Sequence, residues 1–196
     1  MQLEFYLIEN CAPTLASLKT ASLFRCPCRE EEDVFDALYR WNREFSRKGL
    51  RAVLLKRFTG SALIYVYRRS QLERDLKENG AKQLLETYGY QSTDPGYALN
   101  RLAGRLTSEG EFPHEIGLFL GYPLEDVQGF IQNHGKNSLC TGCWKVYGNL
   151  CEARKCFARF EKCRDIYRRL WNEGKSIYQL TVAALDRSHI RIIIKE

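Results

Sequence analysis

The chain has 196 residues, 44% of them hydrophobic and 28% charged, with a formal net charge of +6. These are ordinary globular values, and they exclude a low-complexity or disordered chain. No run approaches the roughly 18 apolar residues that a membrane span needs. The opening residues MQLEFYLIEN lack a basic stretch and contain Glu4 and Glu9, so the expectation is a cytoplasmic protein without a secretory signal.

In chain order, Leu3, Phe5 and Leu7 alternate with Glu4 and Tyr6, which predicts an N-terminal strand over residues 2–9. Asn10 or Cys11 then caps a helix with Pro13 in its first turn and an apolar stripe of Leu15, Leu18, Ala21 and Leu23. Cys26-Pro27-Cys28 ends that helix. The acidic run Glu30 to Asp33 opens the next one, which continues through Trp41 to the Lys48-Gly49 stop. Residues 51–58 and 61–68 are β-rich runs separated by Thr59-Gly60, the pattern of a hairpin. Helices follow over 71–88, broken at Gly80, and over 95–107. Pro113 and Pro123 each suit the first turn of a short helix, with Gly121 between them. A short strand is expected at 143–148, a long helix at 150–172, a further helix at 176–185, and a C-terminal strand at His189–Ile194. The predicted fold class is α+β: a small antiparallel sheet of the N-terminal strand, the central hairpin and the C-terminal strand, packed with several helices. The organisation expected is one domain over 1–196, with a strand-containing part at 1–110 and a helical part at 111–186.

Three segments resemble a known family. They are Asn10 to Lys19 (NCAPTLASLK), Phe112 to Val127 (FPHEIGLFLGYPLEDV) and Trp144 to Gly148 (WKVYG). Together they resemble the domain of unknown function 3793 of anaerobic Gram-positive bacteria, over most of the chain up to about Leu180-Thr181-Val182. The resemblance implies no activity, cofactor or catalytic residue, so the chemistry has to come from the side chains.

Eight cysteines in a reducing compartment point to metal, redox chemistry, catalysis or plain burial rather than disulfides. Cys11, at the predicted strand-to-helix junction, would have its thiolate favoured by the helix dipole. His114, with Glu115 beside it at another helix start, would serve as its base. The competing reading makes Cys11 a small buried group and His114 and Glu115 helix caps. Cys140-Thr141-Gly142-Cys143 is a CxxC. With Cys151 and His134 it offers four ligands for zinc, or thiolates for iron, although no second CxxC accompanies it.

Residues 115–131 have the apolar spacing of a helix-turn-helix, but Glu125 and Asp126 on the second helix would repel phosphates, so nucleic acid is not expected. Phe119, Tyr122, Trp144 and Tyr147, with Lys19 and Lys145, form a set suited to a planar anionic molecule. Neither a P-loop nor a dinucleotide fingerprint occurs. Residues 136–196 carry 13 Lys and Arg against 6 Asp and Glu. Arg154, Lys155, Arg159, Lys162, Arg168 and Arg169 therefore give the long helix a basic character that suits an anionic partner.

The leading expectation is a protein that binds a small ligand, metal or cofactor where the Cys11, His114 and Trp144 segments converge. A cysteine-dependent enzyme using Cys11 and His114 is the alternative, and an interaction module using the basic helix is the third.

Overall fold

The computed structural model describes residues 3–28, 31–108 and 112–183. The chain packs as two compact units, one of Met1–Ser70 with Cys163–Glu196 and the other of Gln71–Lys162. The described elements are helical for the most part, with one three-stranded and one two-stranded antiparallel sheet, which makes the fold α+β.

The first unit begins with α1 (Leu3–Leu15), where a strand was expected. The Leu3/Phe5/Leu7 alternation is short, and a helical series runs through and beyond it: Leu3, Leu7, Ile8, Cys11, Ala12 and Leu15 are all buried. That spacing places them on one helix face, while Phe5 is left exposed. Pro13 lies inside the last turn rather than the first. After Ser17, at φ 60°, the chain enters β1 (Ala21–Pro27), so the stripe that predicted a helix over Leu18 to Leu23 is instead turn and strand.

Helix α2 (Glu31–Phe45) and a 3-10 turn (Ser46–Lys48) lead through Gly49, at φ 77°, to the expected hairpin of β2 (Leu50–Phe58) and β3 (Ser61–Arg68). Gly60, at φ 71°, supplies the left-handed residue of its two-residue turn. The strand order is β1-β3-β2, both pairings antiparallel. Both outer strands are protected in sequence-specific ways. Pro27 sits at a position of β1 whose missing N–H faces away from β3. On β2, the Asn42 amide stands in for a neighbouring strand, donating to Ala52 O and accepting from Ala52 N, both at 2.8 Å.

One face of this sheet (Phe24, Cys26, Leu50, Ala52, Ala62, Ile64, Val66) forms the core with α1, α2, Cys163 and Tyr167 of α8 (Leu150–Asn172), and α9 (Ile177–Leu180). At one end of that core lies Arg68, 1% exposed. Its guanidinium donates to Thr14 O (2.8 Å), Lys48 O (3.0 Å), Val182 O (2.6 Å) and Leu15 O. Two of these are carbonyls of the last turn of α1, which also accept from Ser17 N and Val182 N. Burial lowers the Arg68 pKa to about 10. Lys48 donates in turn to Tyr178 O and Thr181 O. The predicted strand at His189–Ile194 lies outside the described residues.

The second unit opens with α3 (Arg69–Lys77), which begins at the end of the first, and α4 (Asn79–Thr87). The break falls at Glu78, and Gly80 lies within α4, where a Cβ would stand 2.3 Å from Leu124 Cδ2. Next comes α5 (Pro95–Thr107), capped by Asp94 Oδ1, which accepts from Gly96 N and Tyr97 N. Two short helices, α6 (Ile116–Phe119) and α7 (Leu124–Gln132), precede β4 (Cys140–Thr141) and β5 (Lys145–Val146). At four residues, α6 is too short to be the first helix of a helix-turn-helix. No described helix is long and apolar enough to cross a membrane.

Candidate functional site

The second unit contains a concave site assembled from residues 112–145. It is built on Gly121, at φ 71°, which turns the chain from α6 into Pro123 and α7. Asp126, in the first turn of α7 and 3% exposed, is the organising side chain. Its Oδ1 accepts from Tyr147 N (2.7 Å) and Gly148 N (2.9 Å), and its Oδ2 accepts from Trp144 Nε1 (2.6 Å). One buried carboxylate therefore fixes both the backbone after β5 and the indole before it. Charge-assisted bonds of this kind are the strong ones. Glu125 adds a bond from Asn149 N at 3.1 Å. A Cβ on Gly148 would come within 2.1 Å of the Glu125 carboxyl carbon, so this close approach requires glycine.

The indole of Trp144 stacks on Tyr122 with centroids 4.9 Å apart and meets Phe157 edge-on at 4.6 Å. Tyr122 Oη donates to Cys143 O at 3.2 Å, and burial pushes this phenol up to about 12, keeping it a donor. Phe112, His114 and Phe130 line the same concavity, the last two with rings 4.9 Å apart. Lys145 reaches in from β5, donating to Gly135 O at 2.6 Å and lying 5.8 Å from the Phe130 centroid. These groups, with Ile116, Gly117, Val127, Thr141 and Gly142, enclose a cleft of about 280 Å³. That is at the small end of the size range of ligand pockets.

Four residues anticipated from the sequence thus line one cleft: His114, Tyr122, Trp144 and Lys145. Phe119 does not line it; it is fully buried and packs on Tyr90, with ring centroids 5.9 Å apart. Tyr147 packs against Gly129, where a Cβ would fall 2.4 Å from its own Cβ. Lys19 and Cys11 belong to the first unit. Cys11 is fully buried in the third turn of α1, away from the helix start that would favour a thiolate, and burial pushes its thiol up to about 12. Glu115 does not orient His114. Fully buried, it accepts from Tyr90 Oη (3.0 Å) and from Arg105 Nε, a structural ion pair. The Tyr90 phenol is held well above its ordinary value by burial and by this carboxylate.

The four proposed metal ligands are not gathered. Cys140 lies in β4, Cys143 in the following turn, Cys151 exposed at the start of α8, and His134 exposed at φ 50° after α7. Among the described residues, no group of three or more His, Cys, Asp or Glu side chains is placed to hold a metal ion. The basic residues of α8 are exposed for the most part. Arg168 pairs with Glu9 and Lys155 with Glu152.

Asp126 and Phe130 were not recognised from the sequence as parts of the site. The available signal was an acidic residue in a helix first turn ahead of a Trp that precedes a strand. Its partners lie 18 to 22 residues away, beyond any local pattern.

No curated protein and no solved structure matches the chain. A family's sequence model matches residues 7–181, which include every element from within α1 to α9. The chain belongs to the family described as Protein of unknown function (DUF3793).

Proposed function

We propose that the second unit binds a small, planar, anionic organic molecule in the cleft between the Tyr122–Trp144 pair and the Phe112, His114 and Phe130 side. The observation that carries this reading is the composition of the walls. Five aromatic rings, counting His114, surround about 280 Å³, and the one acidic side chain among them, Asp126, is fully committed to three internal donors. With that carboxylate satisfied, the charged group that the cleft lining offers a ligand is the Lys145 ammonium. Stacking surfaces would hold the plane of the ligand, and Lys145, using only one described hydrogen bond, retains donors for an anion.

Naphthoate and its neutral analogue naphthamide test this. Naphthoate is expected to bind saturably and to shift the isotope-labelled indole N–H signal of Trp144 in an NMR titration. Lys145→Met should weaken naphthoate by about tenfold, the loss of one favourable charge contact, and leave naphthamide unchanged. An unmoved Trp144 signal with both compounds would remove the proposal.

A further inference from the structure

The hairpin that forms one wall of the cleft carries two of the eight cysteines. Cys140 lies in β4 opposite Val146, Thr141 is paired with Lys145, and residues 142–144 turn the chain, with Gly142 N donating to Trp144 O at 3.0 Å. Neither is in a disulfide and both are partly exposed, whereas Cys11, Cys26, Cys28 and Cys163 are buried. The residues between and after them, Thr141, Gly142, Trp144 and Lys145, all line the cleft.

We infer that Cys140 and Cys143 are a thiol–disulfide exchange site whose oxidation reshapes this wall. The inference rests on the ligand-binding reading for its consequence but not for its chemistry. Three residues of straight strand span about 10 Å, and a disulfide needs Cα atoms within about 7 Å. The bend beginning at Gly142 shortens the path, and closing the bond tightens it further. That movement cannot stay local. A Cβ on Gly142 would stand 2.3 Å from Phe157 Cε2, so the turn already rests on the Phe157 ring. Phe157 supports Trp144, and Tyr122, stacked on Trp144, holds the Cys143 carbonyl. A tighter turn therefore displaces both stacked rings of the cleft.

The oxidant is a low-molecular-weight disulfide. One cysteine thiolate attacks it, forming a mixed disulfide and releasing one small thiolate. The second cysteine thiolate then attacks the protein sulfur of that bond, closing Cys140–Cys143 and expelling the other small thiolate. Two electrons pass to the small disulfide, and the two cysteine protons are lost to solvent and its thiolates.

The full chain is equilibrated in graded mixtures of reduced and oxidised glutathione, quenched, alkylated and mapped by peptide mass spectrometry. The Trp144 indole signal is followed in parallel, without ligand. The expected result is loss of two hydrogens from the peptide containing Cys140 and Cys143, with the indole signal moving in the same transition. Cys143→Ser should abolish both changes, and Cys151→Ser neither. A glutathione adduct confined to Cys151 would overturn the inference, as would a Cys140–Cys143 bond that leaves Trp144 unmoved. Naphthoate affinity should also differ by about tenfold or more between the two forms. If naphthoate binds neither form while the coupled transition persists, the ligand reading falls and the exchange site stands.

Discussion

The two units solve the same problem, holding polar groups inside, in opposite ways. In the first, the buried charge is a cation. Arg68 meets no carboxylate among the described residues and is satisfied by four backbone carbonyls from three separate stretches of chain. In the second, the buried charge at the cleft is an anion, Asp126, satisfied by two backbone N–H groups and an indole. The first arrangement closes the end of a core built on a continuous sheet. The second pins two-residue strands to a nine-residue helix and leaves a concave aromatic surface open.

If that contrast is right, the largest effect belongs to Arg68. Arg68→Met keeps most of the buried length but removes all four of its hydrogen bonds, so stability should fall by about 3–5 kcal/mol. Urea denaturation followed by far-UV circular dichroism measures this. Arg68→Lys should recover only part of it, because one ammonium cannot span the four acceptors. A loss below 1 kcal/mol, about the net worth of one ordinary hydrogen bond, would mean that Arg68 is incidental to its unit.

Asp126→Asn comes next. The amide oxygen can still accept from Tyr147 N and Gly148 N, but the amide nitrogen then faces the Trp144 N–H, donor to donor. A cost of about 2 kcal/mol is expected, with the Trp144 indole signal shifted. Naphthoate binding should weaken even where the protein stays folded. Gly129→Ala probes the same unit by volume alone. Its methyl would sit 2.4 Å from Tyr147 Cβ, which is not the movable end of a side chain. Overpacking of about 1–3 kcal/mol should follow, again measured by urea denaturation.

How far the sequence revealed these features depended on how local each signal is. The β2–β3 hairpin was legible because two β-rich runs meet at Thr59-Gly60, and α5 because Asp94-Pro95 is a cap followed by a first-turn proline. The α1 segment was misread because Leu3, Phe5 and Leu7 satisfy a period of two over five residues, whereas Leu3, Leu7, Cys11 and Leu15 satisfy a helical period over thirteen. Trp144, Tyr122 and Lys145 were legible as candidates by residue type. Their enclosure was not, since it depends on Asp126 reaching a segment 18 to 22 residues on and on glycines whose neighbours are distant in sequence. Arg68 escaped notice for the same reason: its acceptors lie 20 to 114 residues away.

The last effect, invisible at neutral pH, lies in the buried thiols of the first unit. Burial raises Cys11 and Cys163 from an ordinary 9.0 to about 12. The unfolded chain releases these protons near pH 9, while the folded chain keeps them. Their contribution to stability is therefore complete below pH 9 and is lost as pH rises through about 12. Between those limits each thiol steepens the fall in stability by up to one proton, about 1.4 kcal/mol per pH unit. Tyr122 acts in the same direction in the second unit, between 10 and about 12. Cys11→Ala removes one such proton from the first unit alone. Its urea midpoints, measured from pH 8 to pH 11, should fall less steeply than those of the parent, whatever the variant loses at neutral pH by leaving a small cavity. Parallel slopes would mean that the Cys11 thiol ionises as readily folded as unfolded, and that the first unit is not the dry core that separates it from the second.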